Sequence, residues 1–86
     1  SDQRRILFFK ANWCVTCTGA DKDIAEHTSE LPANVTVFKV NYDKETQLRT
    51  RYGVTTQHTF VEVDSTGKLV KIWNGGGVNE LLEEVS

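Results

Sequence analysis

The stretch Ile6-Leu7-Phe8-Phe9-Lys10-Ala11-Asn12-Trp13-Cys14-Val15-Thr16-Cys17 decides how this chain is read. Arg5 to Ala11 is apolar and aromatic almost without interruption, which suits a central strand covered on both faces. Asn12-Trp13 then turns the chain into a region of helical period. Cys17, Ala20, Ile24, Thr28 and Leu31 fall 3, 4, 4 and 3 residues apart, which is one face of a helix. Asp21, Lys22, Asp23, Glu26 and Glu30 mostly take the other side. Pro32 is expected to end the helix, because the residue before a proline avoids helical geometry. The two cysteines therefore sit at the N-terminus of a helix that follows a strand.

That position gives the pair its chemistry. A thiolate, not a thiol, attacks disulfides, and the unpaired N–H groups and dipole of a helix N-terminus favour the anion. Cys17 follows Cys14 by almost one turn, on the same side. Cys14 is expected to be the exposed nucleophile and Cys17 the more buried residue that resolves a mixed disulfide. The chain has only 2 cysteines, too few for a disulfide scaffold. A bridge between them closes so short a loop that it restricts the unfolded chain little. The other use of a CxxC is one half of a zinc site, which needs two further ligands. His27 lies ten residues beyond Cys17 on the same expected helix, roughly 15 Å away at 1.5 Å per residue, and cannot share a metal with it. It reads as a solvent-side residue.

Working outward, Val35 to Tyr42 reads as a second strand, with Val35, Val37 and Lys39 on one face and Phe38 and Val40 on the other. Asp43 is the expected N-cap of a short helix, Lys44 to Tyr52, that stops at Gly53. Thr59 to Asp64 and Leu69 to Trp73 form a hairpin through Ser65-Thr66-Gly67-Lys68, with Gly67 supplying a positive φ. Gly75 to Gly77 precede a last helix whose apolar face is Val78, Leu81, Leu82 and Val85. The aromatics Phe38, Tyr52, Phe60 and Trp73 are expected in or beside the core, and Glu80, Glu83 and Glu84 on a solvated face. The order is β-α-β-α-β-β-α: an α/β fold with a four-stranded mixed sheet, the first two strands parallel, and helices on both faces. Without a repeat, linker or charge block, residues 1–86 are expected to be one domain.

Composition narrows the partners. Ten basic residues against twelve acidic ones give a net charge of −2, not the footprint of a nucleic-acid binder or a polybasic membrane binder. No apolar run approaches the 18 residues of a membrane span. Ser1 to Arg5 lead into the first strand without a cleavage-site pattern, so either the protein is cytosolic or a targeting segment lies upstream. Asp64-Ser65-Thr66-Gly67 lacks the spaced oxygens of a calcium loop, and Gly75 to Gly77 lack the lysine of a phosphate loop.

FFKANWCVTC, FKVNYD, YGVTTQHTFVEVD and the closing GGG-helix together resemble the thioredoxin superfamily across essentially the whole chain, beginning at that family's active-site strand. WCVTC is especially similar to the carboxy-terminal thioredoxin-like domain of bacterial disulfide-interchange proteins. The resemblance implies a thioredoxin-like fold and a thiol–disulfide oxidoreductase that takes protein disulfide or dithiol substrates. It implies no cofactor beyond the Cys14–Cys17 redox disulfide, and an upstream reductase or membrane electron donor. It favours the role of reductant, a monomer, a part in cell redox homeostasis, and an extracytoplasmic place over a cytoplasmic one. Carried over by position, Cys14 and Cys17 are the redox pair, Trp13 the flanking tryptophan (also expected to be half-buried), and Lys39 the lysine behind the site. Trp13, Gln57 and His58 would meet the substrate.

Three positions depart from the family. Its buried acid falls on Phe8, which implies slower deprotonation of Cys17. The basic residue often found after the second cysteine is Thr18. The active-site cis-proline falls on His58, whose peptide bond is either a strained cis bond or trans. Its imidazole would then stand near both sulfurs. Protonated, it would stabilise the thiolate; neutral, it would act as a base. In a further alternative it would complete a Cys14–Cys17–His58 set for zinc or an iron–sulfur cluster.

Overall fold

The computed structural model describes residues 4–85; Ser1 to Gln3 of the leading segment, and Ser86, lie outside them. β1 (Arg4–Lys10) is the inner strand the sequence implied, with β2 (Val35–Asn41) parallel on one side and β3 (Thr59–Val63) antiparallel on the other. β4 (Leu69–Asn74) completes the hairpin, so the order is β2-β1-β3-β4. Gly67 sits in its turn at φ +84°, a conformation that glycine reaches without a Cβ penalty.

Each face of the sheet carries its own core, as a strand alternates its side chains between faces. Ile6, Phe8, Val35 and Phe60 face α1 (Val15–Glu26) and α3 (Val78–Val85), meeting Cys17, Ala20, Ile24, Val78 and Leu81. Phe9, Val40, Val61 and Val63 form the opposite core with Tyr52 of α2 (Thr46–Tyr52) and Val54. The two edge strands are wetter than expected. Phe38 on β2 is 45 % exposed, and Leu69, Val70 and Ile72 on β4 are also exposed. An edge strand has a neighbour on one side only, which leaves its side chains less covered.

Two helix boundaries differ from the sequence expectation. α1 ends at Glu26, well before Pro32, and Thr28–Glu30 forms a separate 3-10 turn. The cause is His27: its Nδ1 lies 2.6 Å from the Asp23 carbonyl oxygen, while its own N–H donates to Ile24 O. The side chain thus takes the acceptor that its own N–H would use in a continued helix. The start of α2 is not capped by Asp43. Asn41 Oδ1 instead accepts from the N–H groups of Asp43 and Lys44, at 3.0 and 3.1 Å, which turns the chain before the helix begins. The expected stop at Gly53 holds, with that residue at φ +70°.

Asp23 joins α1 to α3. Its Oδ2 accepts the Val78 N–H at 2.9 Å, and Glu80 Oε1 accepts the Gly77 N–H, also at 2.9 Å. Two of the N–H groups at the start of α3 are satisfied in this way. The Gly77 N–H holds the Glu80 carboxyl below its usual value. At the far end of β1, Arg4 grips the buried carboxylate of Glu62 with two hydrogen bonds, at 2.8 and 2.9 Å, and also donates to Val85 O. Arg4→Ala is expected to strand that carboxylate and lower stability by about 3 kcal/mol, as read by urea unfolding.

Candidate active site

Cys14 is the N-cap of α1, and its Sγ accepts the Cys17 N–H at 3.2 Å. This is the capping geometry in which an anion gains most from the helix terminus. The Cys14 N–H donates to Ala11 O at 3.1 Å, which ties the turn to the end of β1. Thr16 Oγ1 lies 3.3 Å from the same sulfur. Burial pushes the Cys14 thiol up. Hydrogen bonds from the Cys17 thiol, the Thr16 hydroxyl and the backbone outweigh it and bring the thiol below its ordinary value. Burial, with the neighbouring Cys14 sulfur, pushes Cys17 up to about 11. One sulfur is set to be an anion and the other to keep its proton.

The expected exposure of Cys14 is not met: it is 4 % exposed and Cys17 0 %. The order of depth is as expected, but Cys14 turns its sulfur back beneath the first helical turn to cap it. Alkylation of the reduced protein near pH 8 is therefore expected to mark Cys14 alone, as peptide mapping will show. Cys17 carries a sign as well. Its folded value lies above the ordinary 9.0, so between about 9 and 11 the unfolded chain loses the proton that the folded chain still holds. Reduced protein should lose stability as the pH rises through that window.

His58 faces the pair. Its peptide bond is trans, and it stands at φ +60°, a left-handed conformation uncommon outside glycine and enriched for histidine. The strain, of order 1–3 kcal/mol, is held from both sides: the His58 N–H donates to Phe9 O at 2.8 Å, and the Gly75 N–H to His58 O at 2.7 Å. The ring packs beside Phe8 and Phe60, with centroids 5.7 and 5.8 Å away. Nε2 lies 2.7 Å from the Gly76 carbonyl oxygen and Nδ1 lies 3.1 Å from Thr16 Oγ1. The sulfurs of Cys14 and Cys17 and a ring nitrogen of His58 lie within 4.8 Å of one another, but both ring nitrogens are already engaged by Gly76 and Thr16.

The remaining positions divide. Gln57 and His58 line a shallow cleft of about 430 Å³ with Thr16, Asn74 and Gly76. Trp13 is not half-buried; it is 59 % exposed. Its Nε1 donates to the Asp43 carboxylate at 2.9 Å and its ring meets the edge of Tyr42. The indole is thereby fixed as a rim. Lys39 binds Asp21 instead of either sulfur, at 3.3 Å, where Lys10 also pairs at 2.7 Å. The two lysines hold the Asp21 carboxyl below its usual range, Lys10 most. Phe8 is fully buried where the family acid would stand, stacked on Phe60 at 4.5 Å.

Sequence reasoning missed Thr16, Gly76 and Asp43. Thr16 had a legible signal, a hydroxyl inside the CxxC. Gly76 had none, because its part is played by a backbone carbonyl. It stands at φ +86°, and a Cβ there would fall 2.5 Å from Glu80 Cγ.

The Thioredoxin family model matches residues 1–85. A curated Thioredoxin-1 of Drosophila yakuba is 29 % identical over 68 residues, 79 % of this chain and 64 % of that protein, so the match spans less than two thirds of the relative. The fold resembles the germline-specific thioredoxin Deadhead of Drosophila melanogaster, with a TM-score of 0.84 at 24 % identity, covering 99 % of this chain and 80 % of that one. Fasciola hepatica thioredoxin gives 0.83 at 27 % identity over the same shares, 99 % and 80 %. The matched residues include the strand–cysteine–helix unit first read from Ile6 to Cys17, and the chain belongs to the thioredoxin family.

Proposed function

We propose that this chain is a thiol–disulfide oxidoreductase that reduces protein disulfides, and that Cys14 is its nucleophile. The observation that carries the reading is the placement of two neighbouring sulfurs, Cys14 capping α1 and accepting the Cys17 N–H at 3.2 Å while Cys17 lies fully buried behind it. Hydrogen bonds bring Cys14 down and burial pushes Cys17 up to about 11. The Cys14 thiolate attacks a substrate disulfide. A new S–S bond forms, the substrate bond breaks, and the departing sulfur keeps the electron pair. Cys17 then loses its proton and attacks the Cys14 sulfur. A Cys14–Cys17 bond forms, the Cys14–substrate bond breaks, and the substrate sulfur leaves with the electron pair, which releases the substrate as a dithiol and leaves the pair oxidised. No cofactor enters, since the two electrons reside in the sulfurs. With Phe8 where a carboxylate would take the Cys17 proton, this second step is the slow one.

An exposed apolar lip supports a protein substrate: Trp13 at 59 % and Val15 at 85 % flank the nucleophile. Trp13, Gln57 and His58 are its contact residues, and the net charge of −2 gives no reason to expect nucleic acid. Lys39 is held on Asp21 and is given no part in the exchange. The direction, reductant fed by an upstream or membrane donor, rests on the resemblance of WCVTC to disulfide-interchange domains. So do the extracytoplasmic placement, the part in redox homeostasis and the monomeric state. Among the described residues, no helix is long and apolar enough to cross a membrane. The test is reduction of insulin by the chain with dithiothreitol as donor. A rate above that of dithiothreitol alone is expected, and an unchanged rate refutes the reading.

A further inference from the structure

The thiol that caps α1 is nearly covered, and a continuous hydrogen-bonded chain leads away from its sulfur. Cys14 Sγ is 3.3 Å from Thr16 Oγ1, and Thr16 Oγ1 is 3.1 Å from His58 Nδ1. His58 Nε2 is 2.7 Å from Gly76 O. A carbonyl oxygen only accepts, so Nε2 carries a hydrogen; in the neutral ring Nδ1 is then the acceptor. The Thr16 hydroxyl donates to it and takes the thiol hydrogen of Cys14 as its own acceptor contact. The tautomer is thus set at the far end of the ring, by a backbone carbonyl whose glycine stands at φ +86°.

We propose that Thr16 and His58 are a proton relay for Cys14, a role that rests on the oxidoreductase reading. The thiol proton passes to Thr16 Oγ1 as the Thr16 proton passes to His58 Nδ1. A thiol and a neutral imidazole become a thiolate and an imidazolium, while Nε2–H stays on Gly76 O. When the thiolate attacks a disulfide, the imidazolium holds the proton for the sulfur that leaves. The relay also gives the left-handed backbone at position 58 a purpose, because that conformation aims Nδ1 at α1 while its two backbone hydrogen bonds hold the loop.

The groups facing the relay are few. α1 brings Cys14, Cys17 and Asp23, the last two turns along and bonded to the Val78 N–H. α3 brings Glu80, held on the Gly77 N–H. β1 and β3 bring only the rings of Phe8 and Phe60. Both carboxylates are fixed on backbone donors, so neither competes for the Thr16 hydroxyl.

The experiment follows the rate of iodoacetamide alkylation of Cys14 against pH in the wild type and in Thr16→Val, His58→Asn and the double variant. Asparagine tolerates the left-handed backbone and lacks the imidazole. Each single change is expected to raise the pH of half-reactivity by about one unit, roughly tenfold less thiolate at neutral pH. The double variant is expected to shift no further than either single one, since a chain is broken only once. Thr16→Ser, which keeps the hydroxyl, restores the profile. A Thr16→Val profile that superimposes on the wild type overturns the relay, as do shifts that add in the double variant. Should His58→Asn fail to fold, the exposed Thr16 pair, valine against serine, decides alone. Alkylation reads thiol ionisation whether or not disulfides are exchanged. A wild type that leaves insulin oxidised therefore refutes the oxidoreductase reading without touching the relay.

Discussion

Cys14→Ser is expected to abolish disulfide exchange, lowering the rate on insulin on the order of a thousandfold or more. No other described residue can replace it. The only other sulfur, Cys17, is 0 % exposed and pushed up to about 11, so at neutral pH it is both buried and protonated. A serine hydroxyl at position 14 still accepts the Cys17 N–H and still caps α1, so the melting temperature should change little. Loss of activity with the fold intact separates chemistry from structure. A variant that kept its activity would place the nucleophile elsewhere.

Phe8→Ala should carry the largest effect on stability. Phe8 is fully buried in the inner strand, stacked on Phe60 at 4.5 Å, and Phe60 in turn stacks on Trp73 at 5.3 Å. Removing the first ring opens a cavity in a column of three aromatics, at a cost of about 3–5 kcal/mol. A chain of 86 residues has about 4–13 kcal/mol in all. Urea unfolding is expected to show a midpoint lowered by roughly a quarter or more. The same ring is one wall of the His58 site, so the variant should also release the imidazole from its fixed position. A loss below 1 kcal/mol would mean that Phe8 is not the keystone of that core.

The fold was largely legible because its signals are local. A continuous apolar run gave the inner strand, and glycine at positions 53 and 67 marked a helix end and a turn. The last helix showed its apolar face in plain spacing. What misled was also physical. The helical period running on through Thr28 and Leu31 masked a break made by one side chain, His27, which took the Asp23 carbonyl. Asp43 looked like a cap, but Asn41 turned the chain first and left Asp43 free to hold Trp13. The cysteine pair and the nearness of His58 were legible, the second only through resemblance. The burial of Cys14 was not, because it depends on the sulfur turning back to cap α1. Nor was the capture of Lys39 by Asp21, which needs β2 and α1 side by side.

The most direct test of the central claim is a trapped intermediate. Reduced Cys17→Ala protein, incubated with a disulfide-bonded peptide and mapped by mass spectrometry, is expected to carry that peptide in a mixed disulfide on Cys14, because the residue that would resolve it is gone. Cys14 recovered as a free thiol, under conditions in which the wild type reduces the same peptide, would contradict the account.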